Sequence, residues 1–98
     1  MEKEDNNIIF VGAKEFQKYM LATQMQFEKN QTVILKSRGK FTSKVIDIVE
    51  VMKLKHGVTV DEIKIGSEKF TKEEEGKEPK EIRVSNIEIV VSKKKEEW

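Results

Sequence analysis

Cysteine is absent from this chain, and proline, histidine, tryptophan and tyrosine each occur once. Without thiols, disulfides and thiolate metal sites are excluded, and the composition suits a reducing compartment. The lone His56 has no second histidine or cysteine to complete a metal site, so it reads as a helix-end or subunit-contact residue. Long hydrophobic runs are missing too: nothing approaches the roughly 18 apolar residues of a membrane span. The start, Met1-Glu2-Lys3-Glu4-Asp5, is acidic where a secretory signal would be basic. These absences predict a cytoplasmic protein with no membrane contact, no cofactor and no metal. Excess charge of one sign is lacking as well, with 19 basic residues against 18 acidic and a net charge of +1. Any attraction to a polyanion must come from where the cations sit and not from their total.

What is present is a chain of 98 residues, 38% charged and 37% hydrophobic. That is enough for one core and too little for two. Residues 1–6 are polar and predict a flexible N-terminus. Ile8-Ile9-Phe10-Val11, bounded by Asn7 and Gly12, reads as a central strand buried on both faces. Phe16, Tyr19, Met20 and Phe27 then recur at helical spacing, predicting an amphipathic helix over 14–28 that Asn30-Gln31 closes. Thr32-Val33-Ile34-Leu35 is a second strand. A second helix carries Phe41, Val45, Ile48, Val49 and Met52 on one stripe, with Lys53 and Lys55 suited to its C-terminal dipole and Gly57 to its stop.

From Val58 onward the period is that of strands. Ile63 and Ile65 alternate with charges, Phe70 falls out of step, and a bulge near Gly66 is the expected cause. Lys72 to Glu81 contains Gly76, Pro79, five acids and three lysines, and reads as the exposed tip of a hairpin. Ile82, Val84, Ile87, Ile89 and Val91 form the return strand, with a second parity slip near Ser85-Asn86. The predicted fold is α/β, an α+β sandwich of order β-α-β-α-β-β with a long C-terminal hairpin. The domain spans 7–93 and residues 94–98 form a flexible tail. Right-handed crossovers make the first two strands parallel and bring both strand-to-helix turns to one end of the sheet.

That end carries the chemistry. Lys36-Ser37-Arg38-Gly39-Lys40-Phe41-Thr42-Ser43-Lys44 holds four cations in nine residues with no acid among them. Gly39 lets the backbone turn with positive φ, and Thr42 or Ser43 is placed to cap the following helix. The amides at that helix start favour an anion, which Arg38, Lys40 and Lys44 would surround. Parallel packing of the first two strands adds Lys14 from the neighbouring turn, at the end where open α/β sheets bind ligands. The alternative is a solvated basic turn with no partner.

With those residues in view, the chain resembles the Alba proteins, small archaeal chromatin and RNA-binding proteins. The resemblance runs over about residues 7–93. Its carriers are Asn7 to Gly12, the Lys36 to Lys40 turn with Ser43-Lys44, Val45 to Met52 with Asp47 and Glu50, Glu62-Ile63 to Gly66-Ser67, and Arg83 to Ile89. It implies a homodimer that lays its two bodies on double-stranded DNA or RNA and extends two hairpin arms along the minor groove. Lys14, Arg38, Gly39, Lys40 and Lys44 would lie on the body surface, with Lys36 in the same basic cluster, and Arg83 on the arm. Dimer contacts would come from the second helix and the long strands.

Departures from the family pattern sharpen the expectation. Gly12-Ala13-Lys14-Glu15 stands where relatives have Gly-Lys-Lys-Pro, so one central lysine, the regulatory acetylation site, is missing. His56 replaces an aromatic used for contacts between dimers. Glu73-Glu74-Glu75 at the arm tip opposes phosphate. Binding weaker or more selective than that of basic relatives is expected. The rival reading is an interaction subunit that heterodimerises with a more basic paralogue, which the low net charge and acidic tip suit. An enzyme needs an activated nucleophile or a tuned acid–base pair, and none is found.

Overall fold

The computed structural model describes residues 7–94. The expectations for residues 1–6 and for the tail from residue 95 onward lie outside the described residues. In chain order the elements are β1 (Ile8–Phe10), α1 (Phe16–Lys29), β2 (Thr32–Arg38), a single 3-10 turn (Gly39–Phe41), α2 (Thr42–His56), β3 (Thr59–Lys72) and β4 (Lys80–Ser92). This is the expected β-α-β-α-β-β order. The strands form one sheet in the order β1-β2-β4-β3, with β1 parallel to β2 and the other pairs antiparallel.

Both helices pack on one face of that sheet, and period-two alternation decides which side chains meet them. Ile9 of β1, Val33, Leu35 and Ser37 of β2, and Ile87, Ile89 and Val91 of β4 are buried. They meet Tyr19, Met20, Thr23 and Phe27 from α1 and Val45, Ile48, Val49 and Met52 from α2. Each helical set recurs at three- and four-residue steps, giving one apolar stripe per helix. Thr23 enters the core without cost because its hydroxyl donates to the Tyr19 carbonyl at 2.7 Å. The two helices also meet at His56 Nε2 and Gln24 Nε2, 3.2 Å apart. Gly57 ends α2 in the left-handed conformation at φ 65°, with its amide bonded to the Lys53 carbonyl.

Three local expectations are corrected. β1 is an edge strand and only one of its faces is buried: Ile9 is covered, while Phe10 is 70% exposed. The cause is topological: the β1-α1-β2 and β2-α2-β3 crossovers run the same way along the sheet, so both helices cover one face and leave the other without a helix. The helix start is the second correction. Neither Thr42 nor Ser43 caps α2; the Thr42 amide and hydroxyl both turn back to the Gly39 carbonyl, the hydroxyl at 3.0 Å, closing the 3-10 turn.

The third concerns the hairpin. Gly66 pairs in register with Asn86, and the only shift between β3 and β4 lies between Val60 and Glu62. The parity change of the apolar residues therefore has another origin. Ile63 and Ile65 stand opposite Ile89 and Ile87 on the helix side, whereas Phe70 and Ile82 pair on the other side. The apolar side of the ribbon swaps where it leaves the body, because past Gly66 there are no helices to pack against. At the opposite end, the Lys93 amide donates to the Gln31 carbonyl at 3.1 Å, tying the end of β4 to the α1–β2 connection.

Candidate nucleic-acid interface

Parallel pairing of β1 and β2 brings the Gly12 to Glu15 turn against the start of α2, and Lys44 joins them. Its ammonium donates to the carbonyls of Gly12 at 2.7 Å and Lys14 at 2.9 Å. It lies 5.5 Å from the ring centre of Tyr19 and 5.3 Å from that of Phe41. The Tyr19 hydroxyl in turn accepts the amides of Gly12 at 2.8 Å and Lys14 at 3.1 Å. The amides and carbonyls of Gly12 and Lys14 are thus consumed internally, by one phenol and one ammonium. Lys44 sits at the site but points into it, which makes it an organiser of the turn.

A test separates this role from phosphate contact. Lys44→Met keeps the aliphatic stem between the two rings and removes the donor. Loss of such a hydrogen-bonded cation costs on the order of 1 kcal/mol where water can partly replace it. The thermal midpoint should fall by about 4–8 °C per kcal/mol in a domain of this size. Calorimetry showing an unaltered midpoint, together with a loss of duplex affinity, would return Lys44 to the surface contacts.

The remaining cations fan outward. Gly39 makes the turn possible, because its φ of 60° is one that side-chain-bearing residues rarely adopt. Lys40 next to it is exposed, with its ammonium 5.6 Å from the Phe41 ring centre. Lys14 is exposed on the adjoining turn. Neither has a carboxylate partner among the described residues.

Arg38 and Lys36 are differently placed, on the sheet face that no helix covers. Arg38 Nε is 3.3 Å from the Glu68 carboxylate, and its guanidinium lies 5.6 Å from the Phe70 ring centre, so it spans body and arm. Lys36 pairs with Glu88 at 3.4 Å, and Lys64 approaches the same carboxylate at 3.8 Å. Both cations would have to exchange a carboxylate for a phosphate, at modest cost for partly solvated pairs.

Arg83 does not join this group. It sits on the arm, opposite Lys69, and donates to the Ser67 hydroxyl at 2.9 Å on the opposite face from Arg38. The fold therefore gathers Lys14, Gly39, Lys40 and Lys44 around the two turns, sets Lys36 and Arg38 on the adjoining bare sheet face, and leaves Arg83 separate on the arm. Sequence reasoning missed Phe10, Glu68, Phe70 and Asn86, which line or flank the same region. Only the strand order, with β4 between β2 and β3, makes them neighbours.

A family model described as Alba matches residues 7–67, more than half of the chain and all of the basic turn. The chain belongs to the Alba family. It is 39% identical over 93 residues to the DNA/RNA-binding protein Alba of Picrophilus torridus, a match covering 91% of this chain and 98% of the relative. It is 37% identical to the protein of the same name from Methanococcus maripaludis, over 90% of this chain and 99% of that one. Among solved structures, Alba from Thermoplasma volcanium superposes with a TM-score of 0.76 at 35% identity, covering 88% of this chain and 99% of the other. The Alba fold thus accounts for both helices and the four-stranded sheet described above. Among the described residues no helix is long and apolar enough to cross a membrane.

Proposed function

We propose that this protein binds nucleic acid, duplex DNA and duplex RNA, in a chromatin-type role, as a dimer that grips the phosphate backbone and performs no catalysis. The observation that carries the reading is the Arg38-Gly39-Lys40 turn standing beside Lys14, a cluster of outward cations on a chain whose total charge is near neutral. Relatives spanning nearly its whole length are named DNA/RNA-binding proteins. Contacts of this kind go to phosphate and carry little base information.

A second copy is the partner that the exposed apolar edge suits. Ile63 and Ile65 lie on the helix side of β3, 59% and 81% exposed, because β3 is at the sheet edge beyond the reach of α2. On α2, Lys44 marks the flank toward the first turn. Ile46, two residues on, projects from the opposite flank and is also exposed. Three exposed isoleucines, two of them on an edge strand, are the apolar surface that an isologous interface would bury.

Two such bodies neutralising about four phosphates would give a log–log salt slope of roughly −3 to −4. Anisotropy titrations of labelled duplex DNA and duplex RNA across a salt series, with light scattering on the same samples, check both claims. Salt-insensitive binding, or none at low salt, would refute the backbone grip.

A further inference from the structure

The face of the sheet without helices carries a cleft of about 560 Å³, in the size range of ligand sites. Strand register alone brings Phe10, Lys36, Arg38, Glu68, Asn86 and Glu88 to it from four different strands. Phe10 is the anomaly. It is a large aromatic on a body strand, yet 70% exposed, and the Lys36 ammonium lies 5.7 Å from its ring centre. Gly66 keeps the neighbouring floor open, since a Cβ there would come within 3.2 Å of Asn86 Oδ1.

An exposed aromatic on an open sheet, flanked by cations, is what an unpaired base requires. Every base offers a π-face to stack on such a ring, and its phosphate then needs a nearby cation. Polar side chains at the same level can meet the base edge. Asn86 already donates to Glu68 at 3.0 Å, so its amide oxygen is an acceptor beside a carboxylate that can take exocyclic amines. A duplex keeps its bases inside the stack and cannot present one to Phe10.

We propose that this cleft is a second nucleic-acid site, selective for an unpaired nucleotide of a single strand, with Phe10 as its stacking platform and Lys36 and Arg38 as its phosphate contacts. The proposal rests on the nucleic-acid reading above and shares Arg38 with it. Phe10 distinguishes the two, because the backbone grip on a duplex does not use it.

The test compares wild type, Phe10→Ala, Phe10→Trp and Arg38→Ala against labelled single-stranded oligo-adenylate, oligo-uridylate and duplex DNA by anisotropy. Phe10 is exposed, so the variants should melt as wild type does. Removing one base stack should lower single-strand affinity about tenfold or more. Duplex affinity should be unchanged in Phe10→Ala, tryptophan should restore single-strand binding, and Arg38→Ala should weaken both. Single-strand affinity indifferent to Phe10, or equal losses on duplex and single strand, would overturn the site while leaving the grip on duplex standing. Phe10-dependent binding of single strands by a protein that ignores duplexes would support the site and refute the grip.

Discussion

Replacing Ile63 and Ile65 together by glutamate is expected to leave a folded monomer in place of the proposed dimer. Within one protomer both side chains are mostly in water, so the change costs its fold little. In an interface each new carboxylate would lose its hydration without gaining a partner, at several kcal/mol apiece. Two per protomer would raise the dimer dissociation constant by at least about a hundredfold, since each 1.4 kcal/mol is a factor of ten. Light scattering reads the mass directly, and the far-UV spectrum shows whether the protomer survives. Duplex affinity should fall with it, because two tethered grips become two independent ones. A double variant that stays dimeric would place the interface elsewhere.

The second large effect is expected from Arg38→Ala with Lys40→Ala. In a dimer this deletes four of the outermost cations. Most of the salt slope should vanish, and affinity at low salt should fall by well over about tenfold on every duplex sequence alike. Glu68→Gln gives the opposite sign: it frees Arg38 from the carboxylate 3.3 Å away and should tighten binding. A double variant with wild-type affinity and slope would remove the basic turn from the interface. Sequence-dependent losses would mean that these residues read bases instead of gripping phosphates.

Much of this architecture is legible in the chain itself. Of the stripe Phe41, Val45, Ile48, Val49 and Met52, the last four form a buried helix face, while Phe41 lies half-buried in the 3-10 turn before the helix. Gly39 is recognisable as a turn residue, and its φ is positive. Local spacing carries this information because helix periodicity and turn chemistry are local. It fails where strand order decides. Phe10 looks like core in Ile8 to Val11, since an apolar run does not reveal that one sheet face is bare. Lys44 looks like a surface cation, since nothing nearby in sequence announces that two carbonyls some thirty residues earlier will claim its ammonium. The swap of apolar side at Gly66 imitates a bulge, although the pairing there is regular. These three misses depend on partners far apart in the chain; the missed helix start is the local one, since Thr42 turns back to the Gly39 carbonyl only three residues away.

The swap of apolar side has a consequence for how such a protein can vary. None of the buried core residues falls between Val58 and Ile87, so the hairpin beyond Gly66 and Asn86 is independent of the core. Its length is therefore a free parameter. Removing one residue from each strand would shorten it by about 3.4 Å and invert which face carries Phe70 and Arg83; removing two from each would shorten it by twice that and restore them. Reach along a partner can thus be adjusted in steps, with the face preserved only at every second step, and the folded body need not change.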